Sequence, residues 1–189
     1  GLAKKFSRSS NGVYAVKDLS FSVGSGEMFG LLGPDGAGKT TTLRMLASVL
    51  PATAGESKIG GFDTAHHKSQ ARKMIGYMPQ NFSLYPDLSV MENLIFFADI
   101  NGVHGKRRNE RIQEMLSFTR LKNFTDRRAA NLSGGMKKKL ALACALLHEP
   151  QVLLLDEPST GVDPVSRREL WVILSQVVQE GVTVVVSTP

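Results

Sequence analysis

The spacing of apolar positions changes several times along the chain. Val13–Val23 alternates loosely between apolar and polar residues, and Glu27–Leu32 is a short apolar run that ends against a glycine. Both are strand patterns. From Gly38 to about Val49 the period lengthens, predicting a helix with Leu43, Leu46 and Leu50 on one face. Pro51 and Gly55 then mark a turn, and Glu56–Phe62 predicts another short strand.

From about Phe82 to His148 the pattern is helical. Ser89-Val90-Met91-Glu92 has the capping-box form, in which the serine oxygen accepts from the Glu92 N–H and the glutamate reaches back to the serine N–H. Leu94, Phe97 and Ala98 carry the apolar face onward, and Gly102 is a stop. A second helix is predicted over about Lys106–Phe118, with Ile112, Met115 and Leu116 inward and Lys106-Arg107-Arg108 in solvent. A third begins near Gly134 and ends before Pro150. Val152–Leu155 is then a continuous apolar run, as expected of a strand buried on both faces of a parallel sheet. Pro164–Glu180 reads as a helix with proline in its first turn and Gly181 just past its end, and Val182–Val186 as another buried strand. The predicted organisation is α/β: a core of residues 1–82 and 149–189, interrupted by a helical subdomain of residues 83–148.

Composition adds bounds. With 189 residues, 42% hydrophobic and 21% charged, the chain can bury a core and carries no disorder signature. A net charge of +6 suits anionic partners such as nucleotides, acidic lipid or RNA without choosing among them. Cys144 is the single cysteine, which excludes an internal disulfide. Its place in the apolar run Leu140–Leu147 predicts a buried, inert thiol in a reducing cytosol. No stretch approaches the roughly 20 apolar residues that span a bilayer, so a membrane role would run through a partner or through further polypeptide. Gly1 is not an initiator residue and the last strand is followed only by Thr188 and Pro189, so the chain reads as a C-terminally truncated fragment.

Two segments carry phosphate chemistry. Gly33-Pro34-Asp35-Gly36-Ala37-Gly38-Lys39-Thr40 matches the P-loop pattern between a predicted strand and a predicted helix, with Thr41 following. Glycines let the backbone wrap phosphates with inward N–H groups at a helix N-terminus. Lys39 is expected on the β- and γ-phosphates, and the Thr40 hydroxyl on Mg²⁺. Val152-Leu153-Leu154-Leu155-Asp156-Glu157 ends a buried strand in two carboxylates. Asp156 is expected to hold Mg²⁺, directly or through water, and Glu157 to polarise the attacking water as general base. His66-His67 reads as surface, Lys137-Lys138-Lys139 as the solvated face of a helix, and Trp171, with Leu170 and Leu174, as core.

Leu132-Ser133-Gly134-Gly135-Met136 opens a helix with a hydroxyl and two glycines, a second anion-binding N-terminus. Here the sequence resembles the ABC ATPase family, whose signature begins LSGG. The resemblance implies the ABC ATPase fold: a P-loop core, an N-terminal antiparallel β layer and a helical subdomain that carries the signature. It implies that the signature caps the γ-phosphate held by the P-loop of an opposing cassette, so that two ATPs lie in a head-to-tail dimer. Gln80, in Tyr77-Met78-Pro79-Gln80, matches the glutamine that approaches Mg²⁺ and the attacking water, and Asp163 the D-loop that crosses the dimer interface. Phe6 matches the aromatic that stacks on adenine, with Tyr14 as a rival because Arg8–Asn11 lengthens the spacing.

Three departures stand out. Asp35 replaces the usual asparagine or serine, and Met136 the usual glutamine or glutamate. Pro189 stands where the family places its switch histidine, and proline offers neither a side-chain donor nor a backbone N–H. The expectation is an ATPase that binds ATP and hydrolyses it poorly at this site. The texture of Gly30-Leu31-Leu32-Gly33-Pro34 and Thr160-Gly161-Val162-Asp163-Pro164 resembles ATPase subunits of ABC-2-type exporters. That resemblance implies a second cassette, identical or in tandem, and membrane permease subunits docking near Phe82–Leu88. It implies a peripheral position on the cytoplasmic face of the membrane, and no direct nucleic-acid partner. A ribosome-associated ABC factor is the alternative. Chromosome-maintenance ATPases are excluded, because Thr41–Asn131 is too short for their coiled coil.

Overall fold

The structure, a computed structural model, describes residues 1–6, 12–81 and 83–189. The stretch Arg8–Asn11 and residue Phe82, both used in the sequence reading, lie outside the described residues. Strands β1 (Leu2–Phe6) and β2 (Val13–Leu19) pair antiparallel, with Leu2 opposite Leu19 and Phe6 opposite Val13. They form the N-terminal layer. The expected strand Val13–Val23 stops at Leu19; beyond it Phe21 leaves the pairing and stacks on Phe29 at 4.9 Å.

Strand β3 (Met28–Leu32) leads through the glycine-rich loop into α1 (Lys39–Leu46). That helix is shorter than its sequence pattern, because Ser48 turns left-handed (φ 56°) and ends it. Leu43 and Leu46 stay on the sheet side, while Leu50 is turned onto Leu2, Val16 and Met45. The expected strand Glu56–Phe62 is a hairpin, β4 (Lys58–Ile59) and β5 (Phe62–Asp63). Gly60 and Gly61, both at positive φ (54° and 83°), make its two-residue turn. Helix α2 (Lys68–Lys73) and strand β6 (Ile75–Met78) come next.

Helix α3 (Val90–Ile100) starts with the capping box: Glu92 N–H donates to Ser89 Oγ (3.1 Å) and Ser89 N–H to Glu92 Oε2 (2.7 Å). Helix α4 (Gly105–Phe118) buries Ile112, Met115 and Leu116 as expected. Its basic run is paired as well as exposed: Arg107 meets Glu149, and Arg108 Nη1 holds Asp99 at 2.9 and 3.1 Å. Single 3-10 turns at Lys122–Phe124 and Ala129–Asn131 lead to α5 (Gly134–Leu146). Then come β7 (Val152–Asp156), α6 (Pro164–Gln179) and β8 (Thr183–Thr188).

The four strands β3, β8, β7 and β6 form one parallel sheet in that order. Both faces of its centre are covered, so Leu153, Leu154 and Leu155 have no exposed surface. Each such leucine contributes about 1.5–3 kcal/mol by the area it removes from water. One core packs α3, α4, α5 and α6 against one face of the sheet; a second packs α1 and Ile59 against the other. Trp171 packs partly buried against the larger core.

Helix α5 runs through the middle of the larger core, and this overturns one reading of the sequence. Lys138 (3% exposed) and Lys139 (9%) are buried rather than solvated. The helix is apolar from Leu140 to Leu146, so neighbours enclose its first turns too, and each ammonium meets oxygen. Lys139 pairs with Glu169, and Lys138 with the backbone carbonyls of Gln80 and Glu157. Cys144 is buried there, and desolvation pushes its thiol far above the usual range, as expected of an inert cysteine.

Candidate active site

The parallel register brings the site together. Strands β3, β8 and β7 end side by side, with Leu32 opposite Thr188 and Ser187 opposite Asp156. The segments leaving those strands therefore gather at one edge of the sheet. Strand β3 runs out into the loop Gly33–Gly38, whose last residue caps α1 at φ 92°. A Cβ on Gly38 would stand 2.2 Å from the Ala15 carbonyl oxygen, so glycine is required both for the conformation and for the approach of β2. The first turn of α1 holds no acidic residue, leaving its N–H groups and dipole to an anion.

Lys39 is 8% exposed, and its ammonium curls back inside the loop to the carbonyls of Gly33 and Pro34, the latter at 3.0 Å. Thr40 Oγ1 donates to Asp156 Oδ1 at 3.0 Å. The same oxygen accepts from Ser187 Oγ at 2.8 Å. Asp156 is 1% exposed, and its other oxygen, Oδ2, is buried with no hydrogen-bond partner among the described residues. A buried carboxylate oxygen beside a threonine hydroxyl offers the hard oxygen donors a magnesium ion takes.

Glu157, 7% exposed, accepts at Oε2 from Gln80 Nε2 (2.9 Å) and Thr160 Oγ1 (3.1 Å). A cleft of about 440 Å³ joins these groups, lined by Asp35–Thr41, Gln80, Glu157 and Thr160, with Ala15 and Pro189 on its walls. The P-loop, Gln80 and Glu157 therefore share one cleft, and Asp156 adjoins it through Thr40. Pro189 is beside them, one residue past the last strand pair. None of Leu132–Met136 lines the cleft. Ser133 Oγ accepts from Met136 N–H (3.2 Å) to cap α5, and Leu132 is buried. Asp163 Oδ1 caps α6, accepting from Val165 (3.1 Å) and Ser166 (2.9 Å) N–H. Phe6 and Tyr14 are not among the lining residues. They lie on the paired β1 and β2, 46% and 51% exposed, with Lys4 over the first ring and Lys5 over the second.

Three residues escaped the sequence reading. Ser187 is the one hydroxyl directly after the run Val184-Val185-Val186, a polar break in a buried strand that signals a partner. Thr160 lies in the segment read only as the approach to Asp163. Lys138 is hidden in a run of three lysines, and its Nζ donates to the carbonyls of Gln80 (3.1 Å) and Glu157 (3.4 Å). Burial pushes the Lys138 ammonium down, while the charges of Glu157 and Asp156 hold it up.

Comparison with known proteins gives this geometry its relatives. Residues 16–160 match the family model described as "ABC transporter". The chain is 50% identical over 174 residues to "Probable multidrug ABC transporter ATP-binding protein YbhF" of Escherichia coli (strain K12), covering 92% of this chain and 30% of that protein. It is 42% identical over 173 residues to "Nod factor export ATP-binding protein I" of Burkholderia lata, covering 92% and 57%. The chain thus spans from under a third to just over half the length of these relatives. Among solved structures, the ATP-binding cassette MJ0796, in a dimeric post-hydrolysis state bound to ADP and Pi, superposes with a TM-score of 0.89. The identity is 28%, over 99% of this chain and 85% of that one. The antiparallel N-terminal layer, the parallel sheet and its helices are those of the ABC ATPase fold. By sequence and by fold, the chain belongs to the ABC transporter family as one of its ATP-binding domains.

Proposed function

We propose that this domain binds ATP with Mg²⁺, hydrolyses it slowly, and serves as a motor cassette of a membrane exporter. The observation that carries the reading is the convergence of Lys39, Thr40, Gln80 and Glu157 on one P-loop cleft, with the buried Asp156 bonded to the Thr40 hydroxyl behind it. The backbone of Gly33–Thr41 wraps the phosphates, and Lys39 turns from the Gly33 and Pro34 carbonyls to the β- and γ-oxygens. Thr40, Asp156 and Gln80 would hold the magnesium ion, whose charge would offset that of the phosphates. Gln80 and Glu157 orient the water, and Glu157 takes its proton as the water oxygen bonds to the γ-phosphorus and the bond from that phosphorus to the departing ADP oxygen breaks. Phe6, or Tyr14 beside it, stacks on the adenine.

The signature residues Ser133, Gly134 and Gly135 face the nucleotide of a second cassette, and Asp163 meets that cassette across the interface. Their absence from this chain's own cleft supports the arrangement, as does the dimeric state of the MJ0796 cassette. The chain divides into a core (residues 1–82 and 149–189) and a helical subdomain (83–148) that carries the signature. Permease subunits dock on the segment that ends at Leu88. The relatives named for multidrug transport and Nod factor export support the exporter role. Among the described residues no helix is long and apolar enough to cross a membrane, so the membrane contact belongs to such partners or to other parts of the polypeptide.

Slow turnover rests on Pro189. It lines the same cleft as Gln80 and Glu157, one residue past the strand pair Leu32–Thr188, and it carries no donor. The test is ATP turnover by the complete protein recovered from detergent-solubilised membranes. Glu157→Gln is expected to lower hydrolysis about a hundredfold or more with ATP affinity within a few-fold. Pro189→His is expected to raise hydrolysis. Equal loss of affinity and turnover in the first variant would remove Glu157 from the chemistry, and an unchanged rate in the second would refute the weakened site. Recovery with ribosomes and not with a multi-span membrane protein would overturn the exporter role.

A further inference from the structure

We infer that Lys138 is a positioning residue of the hydrolytic site, reaching from the signature helix to fix the backbones of Gln80 and Glu157 and thereby aim the Glu157 carboxylate. The inference rests on the proposed role of Glu157 and adds a residue that none of the expected motifs includes. Glu157 adopts φ 49°, in the left-handed region that non-glycine residues avoid. Such a conformation persists only where its surroundings impose it, and it recurs at functional sites.

Here both sides of Glu157 are held. Its N–H donates to Ser187 Oγ at 3.0 Å, and its carbonyl accepts from Thr160 N–H at 3.3 Å and from Lys138 Nζ at 3.4 Å. The same ammonium donates to the Gln80 carbonyl at 3.1 Å, while the Gln80 side chain donates to Glu157 Oε2 at 2.9 Å. Lys138, Gln80 and Glu157 thus close a ring in which one cation fixes two backbones whose side chains hold each other. A lysine suits the place because these two acceptors are carbonyls and the stem must cross from α5 to the segments leaving β6 and β7. The ring also fastens the helix that begins at Ser133 to the two residues beside the reacting phosphate. The competing account is that Lys138 is only a buried charge given partners, with no bearing on chemistry.

Single-turnover ATP hydrolysis and ATP affinity of the complete protein separate these accounts. The difference in turnover between wild type and Glu157→Gln is the part owed to this site, and Lys138 variants are read against it. Lys138→Met, similar in volume and without a donor, is expected to lose about tenfold or more of that turnover while ATP affinity changes less than about twofold. Lys138→Arg, which keeps a charged donor, is expected to recover most of it. In a Glu157→Gln background Lys138→Met is expected to cost nothing further, because its effect runs through Glu157.

Wild-type turnover in Lys138→Met would overturn the inference, as would loss in proportion to ATP affinity or further slowing of the double variant. Should Lys138→Met fail to fold, Lys138→Gln takes its place in the same comparison. If Glu157→Gln itself leaves turnover intact, the general-base reading falls and this inference with it. A slow Glu157→Gln beside a normal Lys138→Met would remove this inference alone.

Discussion

At Gly135 the absence of one methyl group sets how closely two helices approach. A Cβ there would stand 2.3 Å from Ser166 Oγ and 2.4 Å from Ser166 Cβ, so α5 touches the first turn of α6 at this point. The sequence motif assigns Gly135 to a nucleotide; the packing would demand a glycine without any nucleotide. Gly135→Ala must push the helices apart or force Ser166 off its rotamer, at a cost of about 1–3 kcal/mol by overpacking. Adding Ser166→Gly empties the obstructed volume and is expected to restore most of that loss. The urea midpoint of this chain, monitored through its one tryptophan, Trp171 on α6, measures both steps. A Gly135→Ala variant as stable as wild type would mean the contact relaxes without cost. Lys138 and Lys139 teach the converse at the same scale. Their type announces solvent, and their place on a helix enclosed on all sides puts them inside.

The elements were legible where the signal is local. Continuous apolar runs gave β7 and β8, the capping box gave the start of α3, and Pro164 with Gly181 bracketed α6. The P-loop and both carboxylates could be placed because each adjoins a strand within its own segment. Contact between distant segments stayed hidden: Gln80 to Glu157 spans 77 residues, Lys138 to Gln80 spans 58, and Ser187 to Asp156 spans 31. No periodicity encodes such meetings; strand order and register do. The ends of α1 and β2 differ from their patterns because the left-handed turn at Ser48 and the stacking of Phe21 on Phe29 override propensity. Asp163 shows how an element can hide a second role. Its carboxylate caps α6, and those two N–H bonds hold its pKa below the usual range. Loss of the cap in Asp163→Ala is expected to lower the urea midpoint, whereas Asp163→Ser keeps a capping oxygen and most of the stability. If the residue also meets a second cassette, ATP turnover falls in both variants. Full turnover in a stable Asp163→Ser would leave capping as its whole role.

Across the molecule, α5 is fastened to the parallel sheet near both of its ends. Near its start Lys138 grips the ends of β6 and β7 beside the cleft; just past its end, His148 Nε2 donates to the Ile75 carbonyl at 3.1 Å, at the opposite edge of β6. Arg111 reinforces the second attachment by donating to the Leu146 (2.9 Å) and Leu147 (3.3 Å) carbonyls at the helix C-terminus. Burial pushes the His148 pKa below its ordinary value of 6.5; the bond to Ile75 opposes this and the nearby Arg111 charge adds to it. Among the described residues its other ring nitrogen, Nδ1, is buried without a partner, so the N–H that a second proton would form there has no acceptor. Linkage sets the sign. The unfolded chain takes up a proton near pH 6.5 and the folded chain only below that, so the folded state's advantage is complete above 6.5 and declines as pH falls through the folded pKa. The paired carboxylates Asp99 and Glu149, held low by Arg108 and Arg107, lose their contribution only at more acidic pH. The thermal midpoint is therefore expected to fall between about pH 7 and 5, and to fall less in His148→Gln, whose amide can donate to Ile75 and does not titrate. Identical slopes in the two proteins would assign the acid loss elsewhere. A flatter slope in the variant would locate the acid-sensitive joint at the edge of the sheet away from the nucleotide.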